Sequence, residues 1–283
     1  MGSADVVPGV SGGTVALIVG IYEELVTSVR AAASAPLSLL RGDARGARRR
    51  LGEVAWGLVL PLAAGIVVAL VVGAAVIPSL LQAYPVAMLA IFFGLIAGSL
   101  AVPWRRVERR GRLELGLSAA AFVVAYGLVG LPPRAVADPS LAQVFASAAV
   151  AICAMILPGV SGAFLLLVLG VYTPTLDALH DRDLLYVATF VAGCAVGLGL
   201  FSRLLEHLLT RHHSLTMAVL VGLMAGSLRA LWPWQDLDRG LLAPPSAAAL
   251  AGAVLLALVA AGAVTLLTRA GARTGREDLP LHD

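Results

Sequence analysis

Two short stretches rich in glycine and serine interrupt apolar sequence in this chain. The first, DVVPGVSGGTVALIVGIY, starts at Asp5, and the second, ILPGVSGAFLLLVLGVY, starts at Ile156. A helix that begins inside a membrane exposes N–H groups in its first turn, which hydrocarbon does not satisfy. Glycine lets the backbone approach a ligand, a serine cap adds a hydroxyl, and the helix dipole adds partial positive charge. Together these features predict an anion site, most naturally for phosphate or carboxylate.

The candidate phosphate ligands are the small and polar residues at the start of each expected half-helix. They are Gly9, Ser11, Gly12, Gly13, Thr14, Gly159, Ser161 and Gly162. The alternative is that PGVSG only bends a helix or packs small residues between neighbouring helices. Two copies at equivalent places favour the anion site, and Thr14, matched by Phe164, gives the first copy more polar capacity.

A few charged residues are candidates for a phosphate partner or a coupling group. Arg203 and Arg229 fall within or at the ends of apolar spans, where each pairs with the phosphate or extends to the membrane interface. Asp5 and Glu206 are acidic candidates, because an intramembrane carboxylate can carry a proton. No cysteine or histidine spacing is typical of a metal site, so we expect no metal, cofactor or catalytic residue.

The composition indicates a multi-pass membrane protein. Of the 283 residues, 59% are hydrophobic and 13% are charged, whereas soluble domains carry about 25% charged residues. Several apolar runs approach the ~20 residues that span a bilayer. The net charge of +3 arises from arginine and indicates loop orientation, not nucleic-acid binding. The expected partner is the bilayer, and a homo-oligomer is left open.

The chain is predicted to be an all-α protein built from two repeats. The first, 1–131, has a re-entrant motif near 5–29, a polar loop over about 30–53, and helices near 54–77, 84–102 and 113–131. The second, 141–268, has a re-entrant motif near 141–179 and helices near 184–209, 215–231 and 246–268, followed by a polar cytoplasmic tail at 269–283. The segment before Pro8 has seven residues, against seventeen in the apolar arm before Pro158, so either the start of the chain is assigned too late or the first hairpin is truncated.

Internal similarity supports the duplication. Aligning Pro8 with Pro158 gives eight identities in fifteen positions, and GLIAGSL from Gly94 matches GLMAGSL from Gly222 at six of seven. If each broken segment is a hairpin, each half has three full crossings and the halves are inverted, a known transporter architecture. This topology places 16 of the 20 arginines on one side, which the positive-inside rule assigns to the cytoplasm.

The chain also resembles a known family. GSADVVPGVSGGTVALIVGIYEEL, LPGVSGAFLLLVLGVY, and the GLIAGSL and GLMAGSL segments are similar to the PopT-type polyprenyl-phosphate translocases, domain of unknown function 368. The resemblance implies that the protein moves undecaprenyl or decaprenyl phosphate from the outer to the cytoplasmic leaflet of a bacterial inner membrane. There the lipid carrier is used again in cell-envelope synthesis.

Two other functions stay open on the sequence alone. A membrane phosphatase acting on polyprenyl pyrophosphate would use similar anion-binding hairpins, but it needs a clustered nucleophile or base. Neither PGVSG motif contains glutamate or histidine, which argues against that enzyme. A passive anion channel is the second alternative, and conductance without a lipid substrate would identify it.

Overall fold

The structure is a computed structural model that describes residues 1–2, 11–108 and 110–277. This part of the chain is helical, as predicted. Its α-helices are α1 Gly12–Val19, α2 Tyr22–Leu40, α3 Ala44–Gly52, α4 Trp56–Ala83, α5 Pro85–Ser99, α6 Ala101–Arg105, α7 Arg112–Val129, α8 Leu141–Ile156, α9 Gly162–Leu169, α10 Tyr172–His180, α11 Leu184–Arg211, α12 His213–Ser227 and α13 Ala247–Glu277. A short 3₁₀ helix, Leu228–Leu231, follows α12.

Many of these helices are long and apolar enough to cross a membrane. Among the described residues, five qualify alone, at Pro85–Arg105, Arg112–Val129, Leu184–Arg211, His213–Leu231 and Ala247–Leu266. Two bent pairs, Ala44–Gly52 with Trp56–Ala69 and Gly162–Leu169 with Tyr172–His180, qualify when each pair is taken together. The second pair bends by 99° between α9 and α10. The protein is therefore a multi-pass helical membrane protein with five to seven such elements in its described part.

Three pairs of helices have the same length and occur in the same order in the two halves. The half-helices α1 and α9 have 8 residues each, α4 and α11 have 28 each, and α5 and α12 have 15 each. Both half-helices end at a glycine with left-handed backbone, Gly20 with φ 86° and Gly170 with φ 78°, which a side chain would strain. The sequence repeat thus has a counterpart in the helices themselves.

The halves are interlocked through the repeated GLIAGSL and GLMAGSL segments. In α5, a Cβ added at Gly98 would lie 2.8 Å from the Cα of Ala261 in α13. In α12, a Cβ at Gly226 would collide with the carbonyl oxygen of Phe122 in α7. Each repeated segment therefore packs its glycines against the last long helix of the other half, and small residues permit this close approach.

The structure corrects the predicted polar loop over 30–53. This segment is a helical hairpin of α2 and α3, in which Asp43 caps α3 by accepting the Gly46 N–H at 2.7 Å. The Arg50 Nε donates to Ser38 Oγ at 3.0 Å, which ties the two helices together. Its high arginine content suggested a loop, but these contacts stabilise helices. The chain beyond Thr268 also differs from a simple polar tail, because α13 continues to Glu277.

Candidate functional site

The serine of each PGVSG motif caps a half-helix, which the last glycine of the motif begins. Ser11 has extended backbone and its hydroxyl accepts the Gly13 N–H at 3.2 Å. Ser161 does the same for the Phe164 N–H at 3.4 Å. The half-helices begin at Gly12 and Gly162, directly after these serines. Serine is favoured at these positions because its hydroxyl accepts a hydrogen bond from an N–H that the first helical turn leaves unpaired.

The start of α1 lies directly against the break between α8 and α9. Ser11 Oγ donates to the carbonyl oxygen of Leu157 at 3.2 Å, and Thr14 Oγ1 accepts the Gly159 N–H at 3.0 Å. A Cβ added at Gly13 would lie 2.8 Å from the carbonyl oxygen of Ile156. The break at 157–161 is non-helical, and the described end of the first motif lies against it.

Ser11 and Thr14 are buried, with 1% and 0% of their surface exposed. Their hydroxyls bind backbone groups of the other half, so they hold the two motifs together. A phosphate at this point would have to take the place of these contacts. Whether the eight motif residues bind phosphate stays a prediction, and the geometry adds that Ser11 and Thr14 join the two halves.

Gly159 has a structural role that the sequence analysis did not foresee. It adopts left-handed backbone with φ 86°, and a Cβ there would lie 2.7 Å from the Cα of Met224. Met224 belongs to the GLMAGSL segment of α12, so this segment packs against the second PGVSG break. A larger residue at Gly159 would disturb this packing whether or not a ligand binds, because the neighbouring atoms are backbone atoms.

Tyr22 and Tyr172, which are equivalent in the sequence repeat, have different surroundings. Tyr22 is 1% exposed, and its hydroxyl donates to the carbonyl oxygen of Ile156 at 3.2 Å. It thereby supports the break from the α2 side. Tyr172 begins α10 and is only partly buried.

The predicted partners on α11 lie against α2, away from the motifs. Arg203 Nη2 donates to Ser34 Oγ at 3.3 Å. Glu206 Oε2 pairs with Arg30 Nε at 2.6 Å, and Arg30 Nη2 lies 3.7 Å from Glu53 Oε2. In this arrangement these groups attach the α2–α3 hairpin to the second half, and the contacts found for them include no motif residue.

Arg229 lies at the opposite end of the protein from this hairpin. Its guanidinium stacks 4.6 Å from the ring centre of Tyr126, and its nitrogens donate to the carbonyl oxygens of Tyr126 and Arg239 at 3.1 and 3.4 Å. The Arg239 guanidinium in turn lies 4.3 Å from the ring centre of Phe164, in the first turn of α9. Burial lowers the pKa of Arg239. Sequence reasoning missed Arg239 because it sits in a polar loop with no motif around it.

Two predicted residues of the first motif, Asp5 and Gly9, lie outside the described residues, as does Pro8. The described part of that motif begins at Ser11. The second motif is described throughout, so the geometry of the break is known from its side.

The fold and the site define a multi-pass helical membrane protein in which two serine-capped half-helices, one from each half, begin side by side. The chain belongs to the undecaprenyl phosphate translocase-like family, whose model matches residues 1–246. This family membership places the chain among transporters.

Two curated relatives carry the same name. The chain is 39% identical over 237 residues to a polyprenyl-phosphate transporter of Vibrio cholerae, covering 83% of this chain and 76% of the relative. It is 35% identical over 86 residues to a polyprenyl-phosphate transporter of Staphylococcus aureus, covering 28% of this chain and 30% of the relative. No solved structure matches the chain at a significant level.

Proposed function

We propose that the protein carries polyprenyl phosphate, with an undecaprenyl or decaprenyl chain, from the outer to the cytoplasmic leaflet. The observation that carries this proposal is the meeting of the two half-helices, which begin at Gly12 and Gly162 in direct contact through their motifs. The names of both relatives support the substrate class. The return of the lipid carrier for cell-envelope synthesis in a bacterial inner membrane follows from this direction.

The meeting point suits a phosphate because the N-terminus of α1 packs against the break that directly precedes the N-terminus of α9. Each contributes about half a positive charge and N–H groups of its first turn. The bonds that now close the site, from Ser11 to Leu157 and from Gly159 to Thr14, are neutral and each contributes about 0.5–1.5 kcal/mol. Bonds to a phosphate are charge-assisted and contribute about 1.5–3 kcal/mol each. A phosphate can therefore replace these contacts at a net gain.

We infer that the broken segments are re-entrant and that the halves are inverted. Where the second half enters α8, the Arg134 N–H donates to the Leu167 carbonyl oxygen at 3.0 Å and the Val136 N–H to Gly170 at 3.3 Å. The chain entering α8 and the chain leaving α9 thus lie side by side, as in a hairpin. Such broken helices are tolerated at membrane depth where protein surrounds them, as it surrounds Ser11 and Thr14.

The orientation we propose places the arginine-rich segments in the cytoplasm. Glu23 Oε1 lies 3.1 Å from Arg106 Nη1 and 3.3 Å from His213 Nε2, so the loops around 106 and 213 meet the start of α2 at one end of the protein. The Arg30–Glu206 pair connects the arginine-bearing hairpin to the last turns of α11. One cytoplasmic face for these segments agrees with the positive-inside rule.

A leaflet-resolved transport assay tests the proposed function. Purified protein is reconstituted into liposomes that carry labelled polyprenyl phosphate in the outer leaflet, and loss of label accessibility is followed with time. We expect protein-dependent movement of polyprenyl phosphate but not of the uncharged polyprenol. Release of inorganic phosphate from polyprenyl pyrophosphate, or ion conductance without movement of lipid, would contradict the proposal.

A further inference from the structure

A cavity of about 610 Å³ opens beside α1, at the end of the protein where the arginine-bearing loops meet. It lies between the first half and α13 of the second half. Its lining includes Ile18, Gly20, Val102, Arg105, Arg106 and Thr268. A smaller apolar cavity of about 290 Å³ shares Ile18 and reaches Thr14 and Ser99. The larger cavity is thus next to a space that leads towards the meeting point of the motifs.

Two arginines give this cavity its charge. Arg106 is held by Glu23 through Nη1 at 3.1 Å, and its Nη2 lies near Gly20, 3.8 Å from the position of an added Cβ. Arg105 is exposed at the end of α6 and makes no hydrogen bond or ion pair with the described residues. One guanidinium is therefore positioned and the other is available. Guanidinium groups bind phosphate with two parallel hydrogen bonds, and the Thr268 hydroxyl adds a polar group to the wall.

The space that corresponds to this cavity beside the second half-helix, α9, is filled by apolar side chains. The motif alignment matches Ile18 with Val168, and the GLIAGSL alignment matches Val102 with Ala230. Gly98 contacts Ala261 and the equivalent Gly226 contacts Phe122, so Ala261 and Phe122 are equivalent positions. Thr268 lies seven residues after Ala261, and Val129 lies seven residues after Phe122, so these two residues also correspond.

Val168, Ala230 and Val129 pack together with Phe164 as one buried apolar cluster. The residue that corresponds to Phe164 in the first half is Thr14, which is much smaller. The two cavities therefore follow from sequence differences between the repeats: Thr14 and Thr268 stand here where the equivalent apolar cluster has Phe164 and Val129.

We propose that this cavity binds the phosphate monoester headgroup of an isoprenoid lipid on the arginine-rich face of the protein, with Arg105 and Arg106 as its ligands. This inference rests on the proposed function and adds a second phosphate-binding site, separate from the meeting point of the motifs. The apolar wall formed by Ile18 and Val102 accepts the first part of the isoprenoid chain. On the proposed orientation the headgroup arrives here before it leaves for the cytoplasmic leaflet.

Binding of farnesyl phosphate to the purified full chain tests the inference, with inorganic phosphate and farnesol as comparison probes. Arg105→Gln should weaken farnesyl phosphate binding about tenfold, because a charge-assisted bond is lost from a partly exposed site. Arg105→Lys should recover part of the affinity, and Val102→Phe should weaken binding because its larger side chain takes space from the isoprenoid at the apolar wall. The matched control is Arg45→Gln on α3, which removes the same charge from an exposed helix and should stay within twofold of wild type.

The possible results distinguish a failure of the cavity site from a failure of the proposed function. Unchanged binding in both Arg105→Gln and Val102→Phe would overturn the cavity site, even if the wild-type protein transports polyprenyl phosphate. Binding that depends on Arg105 in a protein that moves no polyprenyl phosphate would support the site and overturn the proposed function. Inorganic phosphate binding as tightly as farnesyl phosphate would overturn the lipid assignment, because a site for free phosphate gains nothing from the isoprenoid.

Discussion

The substitution Thr14→Val isolates the contact that joins the two motifs. Thr14 is fully buried, and its hydroxyl accepts the Gly159 N–H at 3.0 Å. Valine has almost the same shape but no acceptor, so the buried N–H of Gly159 loses its partner. An unsatisfied buried group costs about 1–3 kcal/mol. Taking about 2–4 °C per kcal/mol for a chain of this size, the melting temperature should fall by about 2–12 °C.

The same substitution also tests the phosphate site. If the Thr14 hydroxyl binds phosphate when the motifs separate, its removal costs one charge-assisted bond of about 1.5–3 kcal/mol, which corresponds to a loss of roughly 10- to 150-fold in phosphate capture. Thr14→Ser keeps the hydroxyl and should restore most of both properties. The matched control is Thr189→Val on α11, whose exposed hydroxyl binds only the carbonyl oxygen of Leu185 in its own helix, at 2.8 Å.

Two measurements separate the structural role from the ligand role. Thermal unfolding of the purified protein in detergent gives the stability of each variant. Leaflet-resolved uptake of polyprenyl phosphate by liposomes, at matched protein levels, gives transport. A Thr14→Val variant that melts like wild type would refute the structural contact, and one that melts low but transports normally would refute the phosphate role.

Three further predictions concern the caps, the helix interface and the orientation. Ser11→Ala and Ser161→Ala should each lower stability by about 1 kcal/mol through loss of an N-cap. In the liposome assay, Ser11→Ala should lose more transport than Ser161→Ala, and the effects of the two should be less than additive in the double variant if both serines bind one phosphate. Gly222→Ala should lower the melting temperature because its Cβ would collide with α7, whereas Gly116→Ala, with open space around it, should raise it by removing a helical glycine; equal shifts would contradict the packing. A cysteine replacing Arg48 should react with a membrane-impermeant reagent only from the cytoplasmic side of intact cells, and labelling from outside would contradict the orientation.

The half-helices could be predicted from the sequence because their signals are local. A proline, two glycines and a serine in five residues end one helix and cap the next, and the same pattern occurs at Pro8 and at Pro158. The ends of α1 and α9 were not predicted: the second arm was expected to continue from Ala163 to about Leu179, but left-handed backbone at Gly20 and Gly170 ends both half-helices early.

Other features depend on contacts between distant residues, and the sequence alone did not reveal them. The α2–α3 hairpin has the composition of a loop, and its helices depend on contacts such as Arg50 with Ser38, which composition cannot reveal. The GLIAGSL and GLMAGSL repeats were recognised as repeats, but their exchange of partners between halves is a property of the packing. The role of Gly159 against Met224 was missed for the same reason, because the two residues are far apart in the chain.

The contacts at the centre constrain how the protein can move. The motifs are joined by hydrogen bonds from Ser11 and Thr14 to the other half, and each is worth only about 0.5–1.5 kcal/mol. Glycine contacts such as Gly98 with Ala261 are made by backbone atoms and leave little room for separation. We infer that the halves slide or tilt along these helix interfaces while the bonds at the motifs exchange with phosphate. On this view Thr14 has two functions. Its hydroxyl closes the site when no headgroup is bound, and its small side chain, where the second half has a phenylalanine, leaves the space through which the headgroup passes.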